Sequence, residues 1–238
     1  MIGIIGGSGL YQGMEGLQGK EETISTPYGE VNILKGENFL FISRHGYPPK
    51  PPHRINYHAN MMAFKLLKVK DIVAISSVGS LKKEYPPGTV LLPDDLIDFT
   101  GKVWTYHNEK AYHVNMYEPF CRELREKINK KTGIPIRGTY VSMKGPQFET
   151  KAEKSMLKVL GADVVGMTVA PEAKLTKELG LCYQPVAIVV NFVGGETSHK
   201  GTLEMMKRMG KNIACIVLSL IHISEPTRLL SISYAVFC

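Results

Sequence analysis

A chain of 238 residues, 44% hydrophobic and 21% charged, has the size and balance of one globular domain with a proper core. Its formal net charge of +7 is spread along the chain and often sits beside acids, as in Lys20-Glu21-Glu22 and Arg122-Glu123; no clustered basic face marks a nucleic-acid partner, and a small anionic substrate explains the excess equally well. The start, Met1-Ile2-Gly3-Ile4-Ile5-Gly6-Gly7, is too short and too glycine-rich for a signal peptide, and no apolar stretch reaches membrane-spanning length.

In chain order, short β-branched runs read as strands at Ile2 to Ile5, Phe39 to Ser43, Asp71 to Ser76, Thr139 to Ser142, Asp163 to Val165 and Cys182 to Asn191. Helical spacing appears between them at Asn56 to Lys68, behind a capping asparagine, and at Pro119 to Lys131, Thr150 to Leu160 and Pro171 to Leu179. This alternation predicts an α/β fold, a single domain whose central mixed, mostly parallel sheet is flanked by helices. Tyr47-Pro-Pro-Lys-Pro-Pro52 is stiff and reads as a surface loop beside the site. Cys121, Cys182, Cys215 and Cys238 lie far apart without zinc-site spacing, which predicts reduced thiols in a cytoplasmic protein.

At Leu218 the sequence changes character. Leu218-Ser-Leu-Ile-His-Ile-Ser-Glu-Pro-Thr-Arg228 looks like a translated transposase-type sequencing adapter, Leu229 to Ser231 fits a variable index, and Ile232 to Cys238 looks like the adapter's distal primer. The alternative is an amphipathic helix. The domain is therefore expected in residues 1–217, with 218–238 a non-native tail and the natural sequence diverging near Val217.

Several segments carry groups suited to chemistry. Gly6-Gly7-Ser8-Gly9 directly follows a strand, so it is either a plain turn or an anion nest with the Ser8 hydroxyl as a further donor. No clear helix or later acid supports a dinucleotide-binding fingerprint there. Arg44-His45-Gly46 ends another strand, where a guanidinium suits a tetrahedral oxyanion; the bland alternative is a surface pair. Ile75-Ser76-Ser77-Val78-Gly79-Ser80 reads as a third strand end, with hydroxyls and exposed amides. Phe148 and Glu149 precede a helix; they are a stacking ring and an acceptor for a ring N–H, or else a core aromatic and a first-turn acid. Met167 and Thr168 follow an apolar strand and offer a soft sugar contact and one more hydroxyl, although a lone methionine is more often core.

Taken in order, Ile4-Ile5-Gly6-Gly7-Ser8-Gly9-Leu10, Arg44-His45-Gly46, Asn56-Tyr57-His58-Ala59-Asn60, Ser77-Val78-Gly79-Ser80-Leu81 and Gly161-Ala162-Asp163-Val164-Val165-Gly166-Met167-Thr168 resemble the methylthioadenosine phosphorylase and trimeric purine nucleoside phosphorylase family. With Gly145 to Glu153 and Pro171-Glu172-Ala173, the resemblance runs from Met1 to about Arg208. It implies the nucleoside phosphorylase fold, with phosphate held by Ser8, Arg44, His45, Ser76, Ser77 and Thr168, Met167 against the ribose and Phe148 near the purine. His113 resembles the histidine that closes a neighbouring subunit's 5′ pocket, which implies a homotrimer. Phosphate is a substrate, and no cofactor or metal is implied.

The strand Ala187 to Val193 departs from the adenosine-type pattern, which places two aspartates where Asn191 and Val193 stand. An asparagine can donate to a 6-oxo group and accept from a protonated N7, and Glu149 can accept from N1–H, a proton that adenine lacks. The expectation is phosphorolysis of a 6-oxopurine nucleoside or 5′-methylthioinosine in purine salvage, with Asn191 and Glu149 catalytic and Val193 beside the nucleoside. The alternatives are a methylthioadenosine phosphorylase, an inactive nucleoside-binding protein and a dinucleotide-dependent oxidoreductase.

Overall fold

The computed structural model describes residues 1–7, 18–194 and 199–221. β1 (Ile2–Gly6) is buried along its whole length, as a strand covered on both faces must be. It pairs in parallel with β4 (Phe39–Ser43) on one side and with the start of β5 (Asp71–Ser80) on the other. β5 runs parallel to β10 (Cys182–Phe192) from Asp71 to Ser80. A second parallel group, β7 (Asp95–Phe99), β8 (Thr139–Met143) and β9 (Val164–Gly166), joins where β9 pairs antiparallel with Gly79 and Ser80. The hairpin of β2 (Lys20–Thr26) and β3 (Gly29–Lys35) extends the sheet beyond β4, and the short β6 (Val90–Leu91) lies against β10. The sheet is mixed and mostly parallel, as the alternation predicts.

Period-two alternation sends neighbouring residues to opposite faces. Ile5, Ala74, Ala187 and Val189 pack with Phe64 of α1 (Tyr57–Leu66) and Ala173 of α4 (Val169–Glu178). Ile4, Val73, Ile75 and Ile188 pack on the other face with Leu124 and Ile128 of α2 (Arg122–Thr132) and with α6 (Gly210–Ile221). α5 (His199–Arg208) precedes α6 and contributes Met206 to that second core. α6 runs on through Val217, and Leu220 and Ile221 are buried in the same cluster, so the change of sequence character at Leu218 does not coincide with the helix's end. No helix among the described residues is long and apolar enough to cross a membrane.

Helix starts follow local chemistry. The Asn56 side chain accepts from the Ala59 N–H to cap α1. A reciprocal Thr150 and Glu153 pair caps α3 (Lys151–Val159). α2 begins three residues later than its spacing suggests, because the Cys121 N–H donates to the Tyr183 carbonyl and holds the preceding chain extended.

The cysteine expectation requires correction. Cys121 and Cys182 form a disulfide with Cα atoms 5.2 Å apart; folding of α2 onto the start of β10 closes the distance that sequence separation suggested was large. The bridge spans 61 residues of sequence, and opening it should cost about 2–4 kcal/mol. Denaturant unfolding with and without reductant tests this, and an unchanged midpoint would count against it.

Candidate active site

The strand pairing builds a gap at the centre of the sheet. β1 leaves β5 after Ala74, and β9 takes up the same edge only at Gly79. Among the described residues that edge has no strand partner from Ile75 to Val78, and the ends of β1, β4, β9 and β10 surround it. Such a change of neighbours is where open α/β sheets place ligands. A cavity of about 800 Å³ opens there, a size suited to a small molecule. β5 continues as a strand to Ser80, so Ser76 and Ser77 lie within it and not on a strand end as expected; their access to the cavity comes from the missing neighbour.

Of the residues expected to hold an anion, Arg44, His45, Ser76, Ser77 and Thr168 all line this cavity. Ser8 lies outside the described residues. Arg44 is no surface residue, being 2% exposed. Its Nε and Nη2 donate to Glu172 Oε1 and Oε2 at 2.5 and 3.1 Å, and Nη1 donates to the Ile75 carbonyl at 2.8 Å. A Cβ on Gly7 would come within 2.7 Å of Nη1, so the first strand end must be glycine for the guanidinium to lie beneath it. Burial works against the charge of Arg44, but Glu172, through its charge and hydrogen bonds, more than restores it. His45 Nδ1 lies 2.8 Å from the Lys50 carbonyl; a carbonyl only accepts, so Nδ1 is the protonated nitrogen. Pro49 to Pro52 of the stiff loop also line the cavity.

Thr168 is the N-cap residue of α4 but makes no side-chain cap bond. Ser142 Oγ on β8 accepts the Ala170 N–H instead, at 2.9 Å. The threonine hydroxyl is therefore not committed to helix capping.

The nucleoside group is also assembled, since Phe148, Glu149, Met167, Asn191 and Val193 line the same cavity. Phe148 is 44% exposed and is not a core aromatic. Glu153 takes the first turn of α3 and Thr150 the cap, so Glu149 is not the helix's capping acid. Burial raises the Glu149 carboxyl above its ordinary value. Met167 lies against Gly145, where a Cβ would meet its sulfur at 2.5 Å. A register shift between Val189 and Asn191 aligns Asn191 with Gly79; such a bulge re-aims a side chain. A Cβ on Gly79 would come within 2.9 Å of Val193 Cγ2 and 3.0 Å of Asn191 Oδ1, which makes that glycine the clearance for both. His113 is exposed and does not line the cavity of its own chain.

Sequence reasoning missed the layer beneath. Glu172 is fully buried, clamps Arg44 and accepts from the Tyr183 hydroxyl at 2.6 Å. Burial first, and Glu172 second, push that phenol's pKa up. Tyr140, fully buried on β8, lies 3.1 Å from Ser76 Oγ. The available signal for Glu172 was a carboxylate between Pro171 and Ala173 at the start of a predicted helix, just after the apolar Val169 and Ala170. Among the described residues no group of three or more His, Cys, Asp or Glu is placed to hold a metal ion.

Known proteins resemble this arrangement throughout the chain. The sequence model of the phosphorylase superfamily matches residues 1–222. A 6-oxopurine nucleoside phosphorylase from Pyrococcus furiosus is 40% identical, over 95% of this chain and 94% of that protein. A probable S-methyl-5′-thioinosine phosphorylase from Methanothermobacter thermautotrophicus is 43% identical, over 86% and 76%. Among solved structures, a mutant adenosine/methylthioadenosine phosphorylase from Schistosoma mansoni, in complex with methylthioadenosine, superposes with a TM-score of 0.88 at 27% identity, over 93% and 90% of the two chains. A methylthioadenosine phosphorylase from an antarctic soil metagenomic library gives 0.85 at 31% identity, over 96% and 88%. With this coverage in sequence and in fold, the chain belongs to the phosphorylase superfamily.

Proposed function

We propose that the protein is a purine nucleoside phosphorylase, a pentosyltransferase of purine salvage acting on 6-oxopurine nucleosides or 5′-methylthioinosine. The observation that carries this reading is one cavity holding both an anion group, Arg44, Ser76, Ser77 and Thr168, and a base group, Asn191 and Glu149. Phosphate attacks the anomeric carbon as the C–N bond breaks, the sugar passing through an oxocarbenium-like state that the anion also stabilises. The bond's electron pair leaves with the purine, which takes a proton from solvent at N7, matched by the proton that phosphate gives up as it forms the sugar ester. The Asn191 carbonyl accepts from that N7–H, its amide donates to O6, and Glu149 accepts from N1–H. The products are the free base and a ribose 1-phosphate, and no side-chain nucleophile is needed.

The family resemblance supports a homotrimer, with His113 of the partner subunit closing the 5′ end of the pocket. Val103, Tyr112 and Tyr117 are exposed in the segment around His113, apolar surface of the kind that subunit contact covers. We place the protein in the cytoplasm with its nucleoside substrates; Cys121–Cys182 must then persist there against thiol-reducing pools.

The reading is tested by base release from inosine with and without phosphate. Release that requires phosphate and yields a sugar 1-phosphate is expected. No release from inosine, methylthioinosine or methylthioadenosine would favour an inactive nucleoside-binding protein.

Two further outcomes follow from the geometry. Gly79→Ala forces Asn191 or Val193 to move, and such overpacking costs about 1–3 kcal/mol; turnover should drop while phosphate affinity is retained, and steady-state kinetics against both substrates check this. For pH, only the ionised Glu149 accepts from N1–H at full strength, and burial holds its pKa up. The kcat/KM for inosine should therefore fall on acidification at a pH above the ordinary carboxylate range, and Glu149→Gln should abolish that limb. A limb that survives the substitution belongs to another group.

A further inference from the structure

We infer that Tyr140 is a positioning residue, a buried phenol that orients the Ser76 hydroxyl toward the anion; this rests on the phosphate reading of the cavity. Tyr140 is fully buried on β8 and does not line the cavity, while Ser76 and Thr168 do. Its hydroxyl lies 3.1 Å from Ser76 Oγ. The phenol thus joins β8 to β5, from behind a serine that lines the cavity.

Two features show that space and bonding are arranged for this contact. A Cβ on Gly166 would come within 1.9 Å of the Tyr140 hydroxyl oxygen, so only glycine at the end of β9 admits the phenol. Thr168 is excused from capping α4 because Ser142, two residues along β8 from Tyr140, accepts the Ala170 N–H. β8 therefore supplies both the cap that replaces Thr168 and the phenol behind Ser76.

The direction of the bonds follows from the anion. A hydroxyl that donates its only proton to phosphate must accept one from elsewhere to satisfy its oxygen. The phenol is the donor at hand. It donates to Ser76 Oγ, which leaves the Ser76 proton for the anion. Chains of this kind strengthen the terminal bond.

Tyr140→Phe removes one oxygen and keeps the ring. The expected result is a phosphate KM raised up to about tenfold, the worth of one neutral hydrogen bond, with the nucleoside KM unchanged. Adding Ser76→Ala to Tyr140→Phe should cost much less than Ser76→Ala costs in the native protein. A phosphate KM that stays put, or additive losses in the cycle, would overturn the inference. A native protein that releases base without phosphate would instead overturn the reading beneath it. If Tyr140→Phe does not fold, 3-fluorotyrosine at position 140 alone keeps the shape and makes the phenol a better donor. It should lower the phosphate KM, and an unchanged value would equally sink the idea.

Discussion

Glu172→Ala is expected to be the most destabilising single change in the site. Glu172 is fully buried, and its two oxygens take Arg44 Nε and Nη2 while one also accepts from Tyr183. Removing it leaves a buried guanidinium without a counter-charge, and breaking such a pair from one side costs about 3–5 kcal/mol. For a chain of this size that is roughly a 6–20 °C fall in melting temperature. The second effect is functional. Arg44 has five N–H groups, and Glu172 and Ile75 engage three of them. Without Glu172 the planar fork is no longer held at the cavity edge, so phosphate binding should weaken sharply. Pairing Arg44→Met with Glu172→Met separates the two effects, since a buried pair replaced by apolar residues is often neutral for stability. The double variant should recover much of the melting temperature and none of the phosphate affinity. A single Glu172→Ala protein as stable as the native one would show that the clamp is not what holds Arg44.

Asn191→Ala should give the largest loss of turnover without loss of fold. In the proposed reaction Asn191 meets the purine where charge develops, and deleting one such group in other enzymes costs about 10²–10³ in kcat. Because Arg44, Ser76 and Thr168 are untouched, the phosphate KM should change little, an asymmetry expected of a transition-state contact. Asn191→Asp is the informative companion. A carboxylate accepts from a 6-amino group but cannot donate to a 6-oxo group, so the ratio of methylthioadenosine to methylthioinosine turnover should rise. Turnover unaffected by Asn191→Ala would remove the residue from the chemistry.

Much of the fold is legible in sequence where one physical requirement dominates. β1, β4 and most of β10 are buried on both faces, and largely apolar runs say so. α1 and α3 carry their caps in Asn56 and in Thr150 with Glu153. β2 is hidden because its outward residues are charged or polar and, of its inward residues Glu22, Ile24 and Thr26, only Ile24 is apolar. β7 has no fully buried residue and so no strong pattern. The disulfide is illegible because the approach of Cys121 to Cys182 is made by α2 docking on β10, a long-range event that spacing does not encode.

The same division holds in the site. Strand-end glycines, hydroxyls and Arg44 were readable because they sit in short ordered motifs. The clamp by Glu172 and the phenol at Ser76 were not, since their partners are 128 and 64 residues away. The bulge before Asn191 is likewise set by pairing with β5. These are tertiary choices. They decide how each motif residue is aimed, and the motif names only which residue is there.

The most direct test is the set of kcat/KM values for inosine, 5′-methylthioinosine and 5′-methylthioadenosine at saturating phosphate. The Asn191 and Glu149 geometry predicts that a 6-oxopurine substrate exceeds methylthioadenosine by at least about tenfold, the worth of one unmatched polar contact. A preference for methylthioadenosine would contradict the base assignment while leaving the phosphorylase fold and the anion site as described.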